Sequence, residues 1–225
     1  MGSRSPGEAT KRTRLSPDQR REQLIALGAE MLGERAIEDI SVSEIAAQAG
    51  ISRGLLFHYF PTKQDFRLAI VRHANAELLQ RITPDRRLGM LEMLHDSVER
   101  YIDYVSENRT SYLALLRGPT SVSPDLAPLV DQTRDAIVGI ILTEAPVSDA
   151  DRPRLVLAMR GWIAFVEEIT LSWLRAESIP REQLIDLLVE SLIAIASSLD
   201  PALGAALRGR GASRSVDRGE RPRST

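Results

Sequence analysis

Helical spacing of apolar residues is the feature that most constrains this fold. Apolar side chains recur every three or four positions in successive segments from residue 16 to about residue 199. No segment sustains the alternation of apolar and polar residues that a half-buried strand requires. The sequence therefore predicts an all-α protein of about nine helices.

Capping residues predict where the first helices begin. The segment Ser16–Gln19 combines an N-cap serine, a proline at the first helical position and a glutamine that completes a capping box. A second box at Ser41–Glu44 precedes a short helix that Gly50 ends. Ser52 can cap a third helix, and Thr62 a long fourth one. Further helices are predicted at about 85–106, 112–116, 125–143, 151–176 and 181–199.

Composition limits the class of protein. The chain has 225 residues, of which 43% are hydrophobic and 27% charged, enough for one substantial core or two smaller domains. It has no cysteine, so disulfides and thiolate metal sites are excluded. The first residues do not resemble a signal peptide, and no apolar run approaches the about 20 residues that span a bilayer. We therefore expect a soluble protein of the cytoplasm with no membrane partner.

Charge is distributed unevenly along the chain. Residues 1–66 carry 9 basic and 9 acidic side chains, residues 67–200 carry 14 and 20, and residues 201–225 carry 6 and 2. A nucleic-acid partner would therefore be met by the ends of the chain and not by its acidic middle. A solubilising role of the charged tails explains the same pattern.

Both ends of the chain are predicted to be disordered. Residues 1–15 and 201–225 are rich in Gly, Ser, Pro and Arg and have no apolar period. Lys11, Arg12 and Arg14 either add contacts to phosphates or a minor groove, or belong to a solubilising arm.

The segment Ala46–Ser52 is typical of a helix-turn-helix. Its small alanines let two helices approach closely, and Gly50 can take the left-handed conformation that ends the first of them. The helix from Ser52 to Tyr59 is then the recognition helix. The small core against the first helix is predicted to contain Ile45, Ile51, Leu56 and Phe60.

The recognition helix is unusually apolar on its remaining faces. Leu56 and Phe60 are four residues apart and share the inward face, which leaves Leu55, Phe57 and Tyr59 for the outer face or its edges. Such residues can contact a partner molecule, or they can pack under the fourth helix. Both interpretations are compatible with the spacing alone.

The span from about Gln19 to Ile70 resembles the DNA-binding domain of the TetR family of bacterial transcription regulators. That family's pattern is an Ile-Ala-x-x-Ala-Gly-Val-Ser turn, then Leu-Tyr-x-His/Tyr-Phe, then Pro-Ser-Lys. The chain reads IAAQAGIS at Ile45–Ser52, LFHYF at Leu56–Phe60 and PTK at Pro61–Lys63. The resemblance implies a helix-turn-helix domain over residues 16–66, and an effector-binding and dimerisation domain over residues 67–200.

The resemblance also implies which residues contact DNA. Arg53, Gly54 and Leu55 fall where the family reads bases, and arginine can bind guanine bidentately. Phe57 and Tyr59 fall at backbone or base-edge positions. The N-terminal Ser52 of the recognition helix, Ser43 and Lys63 suit phosphates. Phe57 departs from the family's usual tyrosine, so its phosphate contact is lost or passes to His58 or Tyr59.

The last two predicted helices favour dimerisation. Apolar residues in 155–174 and 184–199 cover more than one helix face, so these helices must be buried on two sides. A partner subunit is the natural second wall in a domain of this size. A two-fold axis would place two recognition helices about 34–36 Å apart, which matches a palindromic operator.

Aromatic and flexible apolar residues in the C-terminal half suit an effector pocket. The resemblance makes a small apolar or aromatic effector, for example a fatty-acyl or other lipid-like molecule, plausible among the fourth to eighth helices. The candidate lining residues are Met93, Tyr101, Tyr104, Tyr112, Met159, Trp162 and Phe165. Candidate polar anchors are Arg100, Arg117, Glu167 and Glu168. For any one of these residues taken alone, the simpler interpretation is core or interface packing, or for the charged residues a solvated helix face.

Three functional interpretations follow. The first is a repressor that binds DNA as a dimer and is released when an effector shifts the fourth helix. The second is a DNA-binding regulator without an effector, acting constitutively or through a protein partner. The third is an enzyme, which the absence of hydrolase, phosphate-loop and zinc-protease motifs disfavours. His58, His73 and His95 are scattered, so neither a metal site nor a cofactor is expected.

Overall fold

The computed structural model describes residues 15–117, 124–144 and 148–208. This part of the chain is all-α, as predicted, and contains ten α-helices, one short 3₁₀ helix at Ile37–Asp39 and no strand. The α-helices are α1 (Pro17–Glu34), α2 (Val42–Gln48), α3 (Arg53–Tyr59), α4 (Lys63–Arg81), α5 (Met90–Glu107), α6 (Arg109–Arg117), α7 (Ala127–Glu144), α8 (Arg152–Ala176), α9 (Arg181–Leu199) and α10 (Pro201–Leu207).

The capping residues start the helices where the sequence predicts. The Ser16 hydroxyl accepts from the Gln19 N–H at 3.2 Å, and the Gln19 side chain accepts from the Ser16 N–H at 2.9 Å. Thr62 and Asp65 form the equivalent box at the start of α4. Each pair satisfies two backbone donors that a helix leaves without intrahelical partners.

The first four helices enclose their own small core. Ile45, Leu56 and Phe60 are buried as predicted, whereas Ile51 is only half-buried. The Phe60 and Phe66 rings pack at a tilted angle with centroids 4.8 Å apart, so the end of α3 contacts the start of α4.

A second and larger core lies among α5, α8 and α9. Helix α4 joins the two cores, because Ile70 and Val71 belong to the first and Leu78 to the second. The change of core therefore falls in the middle of α4, past the boundary at residue 66 that the sequence suggests.

Two elements differ from expectation. Helix α5 begins at Met90 instead of about residue 85, because Arg87 folds back on Asp85 and Gly89 takes the N-cap position. Helix α10 lies in the segment predicted to be disordered from residue 201 onward. It packs on α9 and α5 and buries Leu203. The rest of that tail, and the basic arm before residue 15, lie outside the described residues.

Within the described ranges, no helix combines the length and the apolar character needed to cross a membrane.

Candidate nucleic-acid interface and ligand cavity

The turn between α2 and α3 fixes the direction of α3. Gly50 has a φ of 65°, and the Ile51 N–H donates to the Ala46 carbonyl at 2.9 Å. Arg20 on α1 donates to the Ala49 carbonyl at 3.3 Å. These bonds hold α3 against α1 and α2 with its outer face uncovered.

The residues of α3 divide by exposure. Arg53, Gly54 and His58 are exposed, and 40% of the Leu55 side chain remains accessible. Phe57 and Tyr59 are half-buried and pack at the edge of the first core. The sequence left two alternatives for these residues, contact with a partner molecule or packing within the protein. Leu55 faces outward, as the first requires, whereas Phe57 and Tyr59 pack at the edge of the first core. The Tyr59 ring meets His58 edge-on at 5.7 Å.

Ser43, Ser52 and Lys63 lie at three neighbouring helix N-termini. Ser43 is exposed in the first turn of α2, and Lys63 is the exposed first residue of α4. The Ser52 hydroxyl accepts from the Leu55 N–H at 3.2 Å, so it already caps α3. Helix N-termini attract anions, which makes this edge suited to a phosphate backbone.

Gly54 is not required by the packing of the protein. A Cβ at this position would have only the Ser52 hydroxyl within 4 Å, at 3.8 Å. Glycine in a helix costs about 1 kcal/mol relative to alanine. The outer surface of α3 therefore carries a destabilising residue whose lack of a side chain lets another molecule approach closely.

The second core contains a partly open cavity of about 230 Å³. Six of the seven predicted ligand residues line it, namely Met93, Tyr101, Tyr104, Tyr112, Met159 and Trp162. The seventh, Phe165, does not, because it lies on the outer face of α8 with 36% of its surface exposed. Trp162 and Val166 take the inward positions of that turn.

Two tyrosines form the polar centre of the cavity wall. The Tyr101 and Tyr112 hydroxyls are hydrogen-bonded to each other, and their rings meet edge-on with centroids 6.3 Å apart. Burial raises the pKa of both phenols. Tyr104 instead donates to the Ala74 carbonyl at 2.9 Å, and burial raises its pKa to about 12.

Arg134 is a cavity residue that the sequence analysis missed. It donates to both carboxylate oxygens of Glu167, at 2.9 and 2.7 Å, and to Asp131 at 2.9 Å. The hydrogen bond to Glu167 is the main reason that its pKa is raised. Glu167 lines the cavity, as one of the predicted polar anchors.

The other predicted anchors do not line the cavity or are not described. Arg100 pairs with Asp96 and donates to the Thr83 carbonyl at 3.1 Å. Glu168 is exposed on α8. The side chain of Arg117 lies outside the described residues.

Two buried hydroxyls near the tyrosine pair have no hydrogen-bond partner among the described residues. They belong to Ser97, which lines the cavity, and to Thr170, which is fully buried. The Thr170 hydroxyl lies close enough to Tyr101 to oppose the rise in its pKa. Nothing in the sequence distinguishes these residues from ordinary helix residues, because their importance depends on α5, α6 and α8 meeting.

The cavity also reaches the first core. Its wall includes Ala29 and Leu32 of α1, Ile37 of the 3₁₀ helix, and Val71 and Ala74 of α4. Two further bonds connect α4 with α7 and the segment before it. Gln64, at the start of α4, donates to Asp125 at 3.2 Å, and Asn75, further along α4, donates to the Leu129 carbonyl in the first turn of α7 at 3.3 Å. The cavity is therefore bounded by the same helices that position α3.

An apolar stripe remains uncovered on α8 and α9. Leu157 is 72% exposed, Leu187 is 43% exposed, and Phe165 lies on the same side of α8 as Leu157. Gly161 lies between them, and a Cβ added there would have nothing within 4 Å. Large exposed apolar side chains at helical spacing are typical of an interface.

Metal-binding clusters do not occur in the described ranges, since no three His, Cys, Asp or Glu side chains come together in a way that could hold an ion.

The chain resembles known proteins along most of its length. The family model described as "Bacterial regulatory proteins, tetR family" matches residues 24–70, and "Tetracyclin repressor-like, C-terminal domain" matches residues 90–195. A TetR-family transcriptional regulator from Streptomyces coelicolor is 33% identical over 87% of this chain and 89% of its own, with a TM-score of 0.74.

Curated relatives have several regulatory roles. The transcriptional activator FasR of Mycolicibacterium smegmatis is 25% identical over 77% of this chain and 81% of its own length. The nucleoid occlusion factor SlmA of Haemophilus influenzae is 29% identical over 45% of this chain. The match spans about half of SlmA, 48% of its length. With a helix-turn-helix, a helical C-terminal domain and both family models matched, the chain belongs to the TetR family of DNA-binding transcription regulators.

Proposed function

We propose that the protein is a ligand-responsive repressor that binds a palindromic operator as a homodimer and leaves it when a small, mostly apolar effector enters the cavity. The observation that supports this proposal is that the cavity and the first core share part of one wall. The cavity contacts α1 and α4, and these two helices also hold α3 in place. A ligand that binds one arrangement of this wall more tightly than another shifts the arrangement of α3 as well.

DNA contact is proposed through the outer face of α3 and the adjacent helix N-termini. In this proposal Arg53, Gly54 and Leu55 face bases, and Ser43 and Lys63 face phosphates. Phe57 and Tyr59 support the edge of the interface from their half-buried positions, with His58 exposed beside them. Ser52 can contribute its backbone N–H while its hydroxyl caps the helix.

Dimerisation is proposed through α8 and α9. The exposed stripe around Gly161 and Leu157 has the character of a surface that a second copy covers. The predicted two-fold axis would put the two α3 helices in successive major grooves about 34–36 Å apart. The protein would act in the cytoplasm, where the DNA of a bacterium lies.

Repression is the proposed direction of control, because a dimer bound over a promoter excludes the polymerase. A regulator without an effector is the alternative, and a solid C-terminal core would have favoured it. The named activity of FasR shows that a relative can activate. The direction of control is therefore tested separately from DNA binding.

The test is genome-wide identification of the DNA bound by the protein, followed by footprinting on one recovered site. We expect a palindrome whose half-sites are about one helical turn apart, protected by a dimer. A reporter behind that site should become active when the regulator gene is deleted. Protection of a single asymmetric half-site by a monomer would contradict the dimer, and a silent reporter would contradict repression.

A further inference from the structure

We infer that the cavity selects an uncharged, mostly apolar ligand with one oxygen acceptor, such as an amide, ester or ketone, and that Ser97 and the Tyr101–Tyr112 pair bind this oxygen. The inference rests on the proposed effector response only in assuming that the cavity is a ligand site. It assigns the chemical class of the ligand and the atoms that recognise it.

The charges around the cavity are already neutralised. Its acidic lining residues each have a basic partner among the described residues: Glu77 pairs with Arg81 at 3.4 Å, Glu144 with Arg86 at 2.7 Å and Glu167 with Arg134 at 2.7 Å.

Arg134 is the one basic residue among the described cavity-lining side chains. Both edges of its guanidinium are engaged, by Glu167 and by Asp131. A ligand carboxylate that took the place of Glu167, whose side chain is only 17% exposed, would leave that carboxylate without its cation, which is costly. The second partner, Asp131, is 63% exposed and holds only the third guanidinium nitrogen. A cationic ligand would find no unpaired acid in the wall. The cavity therefore favours a neutral ligand.

The tyrosine pair leaves one hydroxyl proton free. Each phenol can donate once, and the hydrogen bond between Tyr101 and Tyr112 uses one of the two protons. The Thr170 hydroxyl lies beside Tyr101 and can form one further hydrogen bond with it, so these three hydroxyls share two bonds and keep one O–H for an acceptor. Burial of both phenols also disfavours negative charge at this point, consistent with the raised pKa of each.

Ser97 supplies a second donor on the same side. It precedes Tyr101 by four residues on α5, so the two side chains share one face of the helix. The Ser111 and Thr133 hydroxyls, which also line the cavity, donate to backbone carbonyls at 2.9 Å. The buried Ser97 hydroxyl has no such bond. Two free donors match the two lone pairs of one carbonyl oxygen.

The remaining wall selects an apolar body of moderate size. The lining is mostly Leu, Ile, Val and Met side chains with Trp162 at one side. A volume of about 230 Å³ exceeds the about 150 Å³ apolar cavity that holds benzene, and it falls below the about 300 Å³ of larger ligand pockets. A short alkyl chain or a single ring with one polar group fits these limits.

The experiment compares three eight-carbon molecules with matched tails. Octanamide, octanoate and octylamine are titrated into the full-length protein at pH 7.4 by calorimetry, without DNA. We expect octanamide to bind at least 10-fold more tightly than either charged molecule. Octanoate binding as tightly as octanamide, or no binding of octanamide, would overturn the inference.

Variants then test the assigned donors. Ser97→Ala and the double variant Tyr101→Phe/Tyr112→Phe should each weaken octanamide binding about 2- to 10-fold, the loss expected for one hydrogen bond. Both phenols are replaced because a single tyrosine variant would leave the other O–H free to donate. Ser106→Ala is the matched control, because its hydroxyl donates to the Ile102 carbonyl on the same helix at 2.7 Å and does not line the cavity. Ethylbenzene, which has no acceptor, should bind all four proteins equally and so report an intact cavity.

Unchanged octanamide affinity in both Ser97→Ala and the double variant Tyr101→Phe/Tyr112→Phe, with ethylbenzene still bound, would contradict the assigned donors. The outcome is separable from the proposed effector response. Octanamide that binds without releasing operator DNA would refute the response and leave the ligand class standing. If octanoate binds more tightly than octanamide and releases operator DNA, the effector response stands and the inferred ligand class is refuted.

Discussion

At the scale of single residues, the side chains of α3 form two groups: some have hydrogen bonds or packing contacts within the protein, and others do not. The Ser52 hydroxyl is occupied as an N-cap, and Phe57 and Tyr59 pack against the first core. Arg53 has no hydrogen bond or ion pair to another described residue. A side chain with no partner in the protein keeps its full donor capacity for a base.

Replacing Arg53 by alanine should relax the base preference of the protein at one operator position. The expected loss on the preferred site is about 1–3 kcal/mol, because a bidentate contact to guanine disappears. Arg53→Lys is the control, since it keeps the charge but not the two-pronged geometry. The measurement is a titration on operators varied at each position. Equal weakening on every sequence would assign Arg53 to phosphate contact instead.

Replacing Gly50 by alanine should destabilise the protein by about 1–2 kcal/mol, because its φ of 65° is unfavourable for a residue with a Cβ. Gly54→Ala should have the opposite effect on stability, a gain of about 1 kcal/mol, since that position is helical and open. Both are measured by chemical denaturation. We expect Gly54→Ala to bind operator more weakly despite its stability, and unimpaired binding would contradict the proposed close approach at Gly54.

At the scale of elements, α10 depends on one close contact with α9. A Cβ at Gly204 would come within 2.7 Å of the Ser197 Cα, which belongs to the backbone and cannot move aside. Leu203 and Leu207 of α10 complete one side of the cavity wall. This helix therefore closes the cavity only while Gly204 lies against α9.

The substitution Gly204→Ala should displace α10 and open that side of the cavity. We expect faster amide hydrogen exchange in residues 201–208 and weaker binding of ethylbenzene, because apolar wall is lost. Gly139→Ala is the matched control, since a Cβ there has nothing within 4 Å. Unchanged amide hydrogen exchange in the Gly204→Ala variant would show that α9 shifts enough to accommodate the added methyl group.

An element can be predicted when the residues that determine it are close together in the sequence, and not when they lie on different helices. Capping boxes are local, so the starts of α1 and α4 could be predicted from Ser16 and Thr62. The segment that forms α10 has no apolar period in the sequence, and its position depends on a contact with Ser197, which no local pattern reveals. Arg134 and Ser97 were missed for the same reason, because their roles depend on partners on other helices or on the lack of one.

At the scale of the whole molecule, the stripe on α8 and α9 should set the oligomeric state. Gly161→Arg places a long charged side chain in the proposed interface without a clash inside the subunit, since a Cβ there meets nothing. We expect a monomer by analytical ultracentrifugation, with unchanged helix content and lost operator binding. Gly139→Arg makes the same change on α7 and should remain dimeric. A dimeric Gly161 variant would place the interface elsewhere.

Alkaline pH should unfold the whole molecule through its buried tyrosines. Burial raises the pKa of Tyr104 from 10.0 to about 12, and it raises the pKa of Tyr101 and Tyr112 as well. The unfolded chain ionises these phenols first, so their contribution is complete below pH about 10 and is lost as the pH rises to about 12. Urea midpoints measured from pH 9 to 11.5 should fall, and less steeply in Tyr104→Phe. A constant midpoint would contradict this.

The shared wall between cavity and first core has a consequence for engineering. Ala29, Leu32 and Ile37 belong to the helices that carry α3, yet they also form the surface that a ligand would touch. A chimera that joins residues 15–66 of this chain to the C-terminal half of another regulator would transfer part of the cavity wall together with the DNA-binding helices. We expect such hybrids to respond to effectors only when these three positions, and the α4 residues facing them, are transferred with the half that senses.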